Sequence, residues 1–585
     1  MSNTHLGMVD MTLSLSENTI NYQFQQLCQR RIIQKTWKIL VRQTNDSTGK
    51  PTYVVKTQED SDFDAALMAW RSAQKEIADL FAAKKYTEFG IKLGQAEAAG
   101  VLYTYGWSAE IKPPTIQILK GATSTLMFKL LFASGTLYSS TDTTRQLAVY
   151  DLSDCLYAFN VPVGRIEIND KQKILTPQAQ EQATIVIREA GLTDADFTIE
   201  SLFLDFERAN VSNFDQTLSS FPENMTSDLQ TTIQNYFNLV VAKQDNPYIL
   251  GYAMQVREVK TQKALFQPTS VRYSTSYSDN RRFNAFNFLM MGGGREFLSG
   301  QNVGVLPQSL LEKGADDPSL DGVFAIDYGI FQNNLIEPFV NGIQKVITNG
   351  FSGNAYTRDG QRWSLIDSAS SSDTISMPPS DVGKDTKLLS NSKVTSSIHL
   401  SNTSTGSLQL RCIINYEIRL RVEVYTVFGF RYVTRYEAYL STGGQHHVGP
   451  TGKMGIPGSV TLTIQPGCEG KVNFNTSEIQ SPALGYDKEP KTQDTSGPWG
   501  IITSLNNEAA RQVLSRGALD AANDMRDVIE DVKKSIQATI NSLTNGKVIL
   551  PLGQIYTFNQ IQLYDVINTD NDAVLLNVAY ARVSN

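Results

Sequence analysis

Residues 408–425, LQLRCIINYEIRLRVEVY, place an apolar side chain at every second position from Leu408 to Val424. Alternation at every second residue is the mark of a strand with one buried face. Ordinary strands run about five or six residues, or roughly 17–20 Å. This one holds its pattern over about 17 residues, a span of roughly 56 Å at 3.3 Å per residue. Leu408, Leu410, Cys412, Ile414, Tyr416, Ile418, Leu420, Val422 and Val424 form the face that needs cover, while Arg411, Glu417, Arg419, Arg421 and Glu423 suit water.

A matching cover is available downstream. Residues 506–546, NNEAARQVLSRGALDAANDMRDVIEDVKKSIQATINSLTNG, contain no proline and end on a glycine suited to a helix C-cap. Leu514, Ala518, Ala521, Met525, Val528, Val532, Ile536, Ile540 and Leu543 recur at three- and four-residue steps, so one long amphipathic helix is expected. About 38 helical residues span roughly 57 Å, the length of the strand. A strongly twisted sheet leaves a concavity that a straight helix does not fill. Side chains or an apolar ligand must occupy it. For a ligand groove the stripe nominates Leu420, Val422, Val424, Met525, Ile529, Val532 and Ile536 as lining residues.

The same alternation followed by helical spacing occurs twice elsewhere. Val9, Met11, Leu13 and Leu15 alternate before Ile20, Phe24 and Leu27; Phe324, Ile326 and Tyr328 alternate before Phe331, Leu335, Phe339 and Ile343. A weak internal duplication of a strand–helix unit follows, with Pro338 predicting a kink or the start of a second helix. Between the two units, EKGADDPSLDG at 312–322 reads as a junction. Residues 1–315 and 319–585 are therefore expected to form two modules.

Within the first module, TWKILVRQTNDSTGKPTYVVKT reads as a hairpin, followed by a helix with Phe63, Leu67, Trp70, Ile77 and Leu80 on one face. Thr176 and Pro177 predict a helix start, and Ser227 predicts the cap of another. The serine-rich stretch 366–392 predicts a surface loop.

Composition excludes some functions. The 585 residues carry 52 basic and 59 acidic side chains, a net charge of -7 without the basic excess of a nucleic-acid binder. Cys28, Cys155, Cys412 and Cys468 are widely spaced and predict buried thiols. The first 24 residues lack the basic cluster and apolar core of a signal peptide, and no apolar run reaches the length of a membrane span. A cytoplasmic protein, or one released by a non-classical route, is expected.

The segments VILPLGQIYTFNQIQLYDVINTDNDAVLLNVAY (548–580), NPYILGYAM (246–254) and ALFQPTSVRY (264–273), with the opening strand–helix, resemble the clostridial P-forty-seven and OrfX neurotoxin-cluster accessory proteins of the TULIP superfamily. Leu552 departs from the Pro-Gly-Gly-like turn of that family. The resemblance implies an α+β fold of two elongated TULIP-like modules, each a long helix wrapped by a twisted antiparallel sheet, with an apolar lipid channel. It implies no catalytic residues and an accessory role beside partner proteins of a toxin gene cluster.

Motifs that would carry chemistry are sparse. The four histidines form no HExxH pattern, and His446 and His447 are adjacent in a glycine-rich stretch. GFSGN around Ser352 has Asn354 where a nucleophile elbow has glycine, and MGGGREF (291–297) lacks the spacing of a phosphate-binding loop. No cofactor, metal or catalytic group is expected. Arg30, Arg31 and Lys35, near the first helix, are candidates for contact with anionic lipid headgroups at a membrane surface. The sequence therefore predicts a non-enzymatic binder of lipid or another apolar ligand, with an assembly protein for partners of the same operon as the alternative.

Overall fold

A computed structural model describes residue 6, residues 9–257 apart from 46, 123, 141–143, 145, 169, 190–191, 212 and 242–245, and residues 266–297, 309–314, 320–348, 353–375, 386–427, 431–441, 459–466, 472–476, 547–553, 556–564 and 573–580. The chain opens with β1 (Met11–Ser16) and α1 (Glu17–Gln29), the hairpin of β2 (Thr36–Asn45) and β3 (Pro51–Thr57), and a helical hairpin of α2 (Phe63–Ala82) and α3 (Tyr86–Ala98). It continues through β4 (Tyr105–Ile111), β5 (Thr115–Gln117), β6 (Thr125–Ser139), β7 (Ala148–Asp151) and β8 (Leu156–Ile168) to α4 (Pro177–Glu189), β9 (Phe197–Leu204) and α5 (Thr226–Leu239). Next come β10 (Ile249–Val256), β11 (Ser270–Ser276), β12 (Ala285–Met291), β13 (Gly322–Asp327), α6 (Tyr328–Phe331) and α7 (Glu337–Ile347). The last part holds β14 (Thr357–Asp359), β15 (Arg362–Ile375), β16 (Thr386–Asn402), β17 (Leu408–Val427), β18 (Arg431–Ser441), β19 (Ser459–Pro466), β20 (Val472–Thr476), β21 (Val548–Ile549), β22 (Tyr556–Tyr564) and β23 (Ala573–Tyr580).

These strands make three antiparallel sheets in a mixed α+β fold. The central sheet has the order β11-β12-β1-β13-β23-β22, so its strands come from both sides of the 312–322 junction. The duplicated strand–helix units meet here, with β1 and β13 paired antiparallel and Leu13 opposite Phe324. Their ends are tied reciprocally. Ser16 N donates to Asp321 O at 2.9 Å, and Asp327 N donates to Asp10 O at 2.8 Å. Each strand then turns into a helix capped by its own last side chain, Ser16 accepting from Thr19 N and Asp327 from Ile330 N. Because the strands are antiparallel, the two helices leave from opposite ends of the sheet.

Leu13 and Leu15 face the main core, whereas Thr12 and Ser14 lie on the face that carries Ala285, Val323, Ala325 and Leu575. That second face is also buried, and its serine and asparagine side chains pair with one another. Ser14 donates to Asn287 Oδ1 at 2.6 Å, and Asn287 Nδ2 donates to Ser276 at 2.8 Å.

A second sheet runs β21-β10-β9-β8-β6-β4-β2-β3, with β5 and β7 paired to β6. Its inner face packs on α1 through Ile20, Phe24 and Leu27 and on α5 through Leu229, Ile233 and Phe237. Aromatic rings fill this interior. Trp37 stacks on Tyr236 at 4.3 Å between centroids, and Phe206 stacks on Phe237 at 4.0 Å. On the outer face α2 buries Phe63, Leu67 and Trp70 against Leu40, Tyr103 and Tyr138, the helix face expected from the sequence.

Several expectations are corrected. Residues 366–375 and 386–392 of the serine-rich stretch are strand and not loop: β15 and β16 pair there, Ala369 opposite Ser392 and Ser372 opposite Leu389, while residues 376–385 lie outside the described residues. Backbone hydrogen bonds hold a hairpin whatever its side chains, and β16 is templated on its other edge by β17. Ser227 lies inside the first turn of α5, which is capped by Met225. Pro338 lies in a helical segment that runs unbroken from α6 to α7: a π-helical turn, Gln332–Ile336, precedes it and returns to α-helix at Glu337. Thr176 does cap α4, accepting from Ala179 N and donating to Pro551 O at 2.5 Å. Beside it Gly553, at φ +62, packs so closely on the Gln178 backbone that a Cβ would lie 2.5 Å from its carbonyl carbon. The turn that departs from the family pattern at Leu552 thus still uses its remaining glycine for close approach.

Glu17 opens α1 and is buried, accepting from Ile118 N at 2.8 Å, from Arg281 Nη2 at 2.6 Å and from Asn284 Nδ2 at 3.2 Å. Arg281→Ala removes the only cation of this network that the described residues supply and leaves a buried carboxylate behind. The expected cost is about 3 kcal/mol, read as a lowered midpoint in urea denaturation. Glu17→Gln, which keeps size and shape without the buried charge, should cost less in the same measurement.

Candidate apolar groove

The long strand reaches its length because of what it pairs with. β16 lies along one edge of β17 from Leu408 to Val424, opposite Asn402 to Thr386. The other edge is shared in series. β19 pairs with Leu408–Ile413 and β18 with Glu417–Val427, and no registered partner on that edge is described for residues 414–416. β17 is therefore a single rib that joins two shorter strands end to end.

Side-chain burial follows the alternation wherever it is described. Leu408, Leu410, Cys412 and Ile414 are fully buried, and Arg411 is exposed. Their neighbours on the same face are Ile398 and Leu400 on β16, Trp363 and Leu365 on β15, and Leu462 and Ile464 on β19, all in the main core. That core includes Phe331, Leu335, Phe339 and Ile343 from the helical segment after β13. The described cover over this end of the sheet is thus the duplicated unit, tied down where Trp363 Nε1 donates to Glu337 at 3.3 Å and Tyr356 N donates to Gln344 Oε1 at 3.4 Å.

Of the nominated lining residues, Leu420, Val422 and Val424 lie on β17 in backbone register with Ser390, Leu388 and Thr386 on one side and Ala438, Tyr436 and Thr434 on the other. Their side chains lie outside the described residues, as does the whole segment bearing Met525, Ile529, Val532 and Ile536. Arg30 and Arg31 are exposed at the end of α1, with Arg31 at φ +60 closing the helix, and Lys35 is exposed just before β2.

The glycine-rich motifs bind the chain's own carboxylates. In the MGGGREF loop Gly292 N donates to Asp10 Oδ2 at 2.7 Å, and Arg295 pairs with the other oxygen. Burial raises the Asp10 pKa above the usual carboxylate range, against the pull of Gly292 and Arg295. In the GFSGN turn Gly353 N and Asn354 N both donate to Asp367 Oδ2, at 2.9 and 3.0 Å. Ser352, His446 and His447 lie outside the described residues. Among the described residues no group of three or more His, Cys, Asp or Glu side chains is placed to hold a metal ion. Cys28, Cys155 and Cys412 are buried free thiols, and burial pushes Cys28 up to about 11 and Cys412 up to about 12. No described helix is long and apolar enough to cross a membrane.

No family model matches the chain, and no curated protein matches it. Two solved structures align with nearly its whole length. P47 from Clostridium botulinum A2 is 10% identical, with a TM-score of 0.37 over 99% of this chain and 98% of its own. A lipopolysaccharide binding protein is 9% identical, with a TM-score of 0.28 over 98% of this chain and 100% of its own. Both likenesses are distant.

One group in the interior carried no sequence signal. Lys547, preceding β21, is buried with its Nζ 5.5 Å from the centre of the Phe324 ring, and burial depresses its pKa to about 7. Only the assembled fold makes it unusual, since Asn-Gly-Lys reads as a turn. A lysine depressed in the folded state contributes stability that is complete above its ordinary value of 10.5 and is lost as pH falls through about 7. Stability to urea should therefore rise between neutral pH and pH 10. Lys547→Met should flatten that rise, and an unchanged profile would mean that another group causes it.

Proposed function

We propose that the chain is a non-enzymatic binder of lipid or another apolar ligand, built from two TULIP-like modules at 1–315 and 319–585. The observation that supports this best is the apolar face of β17, fully buried from Leu408 to Ile414 and continued in sequence to Val424. The ligand would lie against Leu420, Val422 and Val424, beneath the helical stripe of Met525, Ile529, Val532 and Ile536. An accessory role beside proteins of a toxin gene cluster follows from the sequence resemblance alone.

A second reading has its own support. The interior beneath the ten-stranded sheet is filled by Trp37, Tyr236, Phe237, Phe206 and Phe128, so there side chains take the space a ligand would need. An assembly protein packed throughout in that way would bind partner proteins on its surface and carry no cargo.

Native mass spectrometry of gently purified protein separates the two. Ligand binding predicts a bound lipid mass that is lost when Val422→Trp narrows the proposed groove while the melting temperature stays near that of the parent. Absence of any bound mass, together with co-purification of operon neighbours, would favour the assembly reading.

A further inference from the structure

Large apolar side chains are unevenly spread over the surface. Of the ten that stand exposed among the described residues, six lie between residues 53 and 91: Tyr53, Val54, Met68, Phe81, Tyr86 and Ile91. Four of these belong to the α2–α3 hairpin. α2 is anchored through Trp70 and Ile77, both fully buried, whereas Ala96 is the one buried residue of α3. The second helix of the hairpin therefore adds little to the core of the fold.

The tip concentrates this exposure. Residues 81–88 are exposed without a break. Phe81, Tyr86 and the half-buried Phe89 pack their rings together at 5.8 and 5.3 Å between centroids, so an apolar cap stands preformed. The turn that carries it is Lys84-Lys85, with Lys84 at φ +59; Lys85 pairs with Glu88 at 3.3 Å and Lys75 with Asp79 at 2.9 Å, and residues 71–92 together carry five basic side chains against three acidic ones. Lys85 N donates to Leu80 O at 3.0 Å and locks the turn.

We propose that the tip of the α2–α3 hairpin is a docking site for an anionic lipid surface. The composition decides between a bilayer and a protein partner. Protein interfaces are depleted in lysine, whereas aromatic rings flanked by lysines match the headgroup region, where rings sit among the acyl boundary and cations meet lipid phosphates. A projecting tip also reaches a surface without burying the flat area that a protein complex needs. The inference rests on the apolar-ligand reading above, since a lipid surface is where such a ligand would be taken up.

Co-sedimentation of the full chain with phosphatidylcholine vesicles, with and without phosphatidylserine, tests it. Binding is expected to the vesicles that contain phosphatidylserine. Lys84→Ala with Lys85→Ala should weaken that binding by about 30-fold, from the usual contribution of a lysine near an anionic surface. Phe81→Ser with Tyr86→Ser should weaken it as well; the lysine side chains are exposed and outside the ring cluster, so the lysine variant should leave the melting temperature where it is. Arg30→Glu with Arg31→Glu serves as the rival patch. Undiminished binding by the lysine variant, loss of binding through the arginine variant alone, or a tip variant that abolishes self-association instead of vesicle binding would overturn the proposal. Bound lipid in the lysine variant, read by native mass spectrometry, should match the parent. If vesicles bind through the tip but no cargo is ever found, the groove fails and the docking site stands.

Discussion

The pairing of β1 with β13 is the constraint on which the other layers depend. Two short strands more than 300 residues apart in the chain lie side by side, and the bonds from Ser16 to Asp321 and from Asp327 to Asp10 close both ends of the pair. Both faces of the sheet are buried, so a register slip of one residue would carry Leu13 and Leu15 into the layer of Ala325 and Asn287 and strand Ser14 among apolar groups. The strands flanking this pair, β12 and β23, inherit their register from it. The helices that follow take their directions from it too, α1 toward the aromatic interior and α6 and α7 toward the long-stranded sheet.

Much of this was legible because it rests on periodicity and local capping. Leu408 to Ile414 bury as their alternation requires, the strand–helix units recur where the pattern recurs, and Thr176 caps the helix that Pro177 opens. Elements that rest on pairing were not legible. The serine-rich hairpin of β15 and β16 has side chains that specify no strand, and its conformation comes from the backbone edge that β17 presents. α3 was missed for a related reason: with Gly90 and Gly94 inside it and only Ala96 buried, it lacks an apolar stripe and stands by leaning on α2. Of the proposed groove, one wall could be read as a strand with a defined register, while the stripe from Met525 to Ile536 lies outside the described residues.

The loops that resembled chemical motifs share one physical use. Backbone amides freed by glycine turns make a concave donor site that any oxyanion satisfies. In this chain Asp10 and Asp367 fill two such sites, and each carboxylate is buried and fixed by neighbouring amides. Motif spacing reports the donor geometry but not the acceptor, so the same glycines serve a nucleotide in one protein and a structural aspartate in another.

The series arrangement on β17 has a mechanical consequence. One edge is continuous against β16, and the other passes from β19 to β18 across residues 414–416. β19 and β18, which share no described pairing with each other, are thus held in one surface by β17 alone, and neither can shift along its length without breaking its own ladder to that common rib.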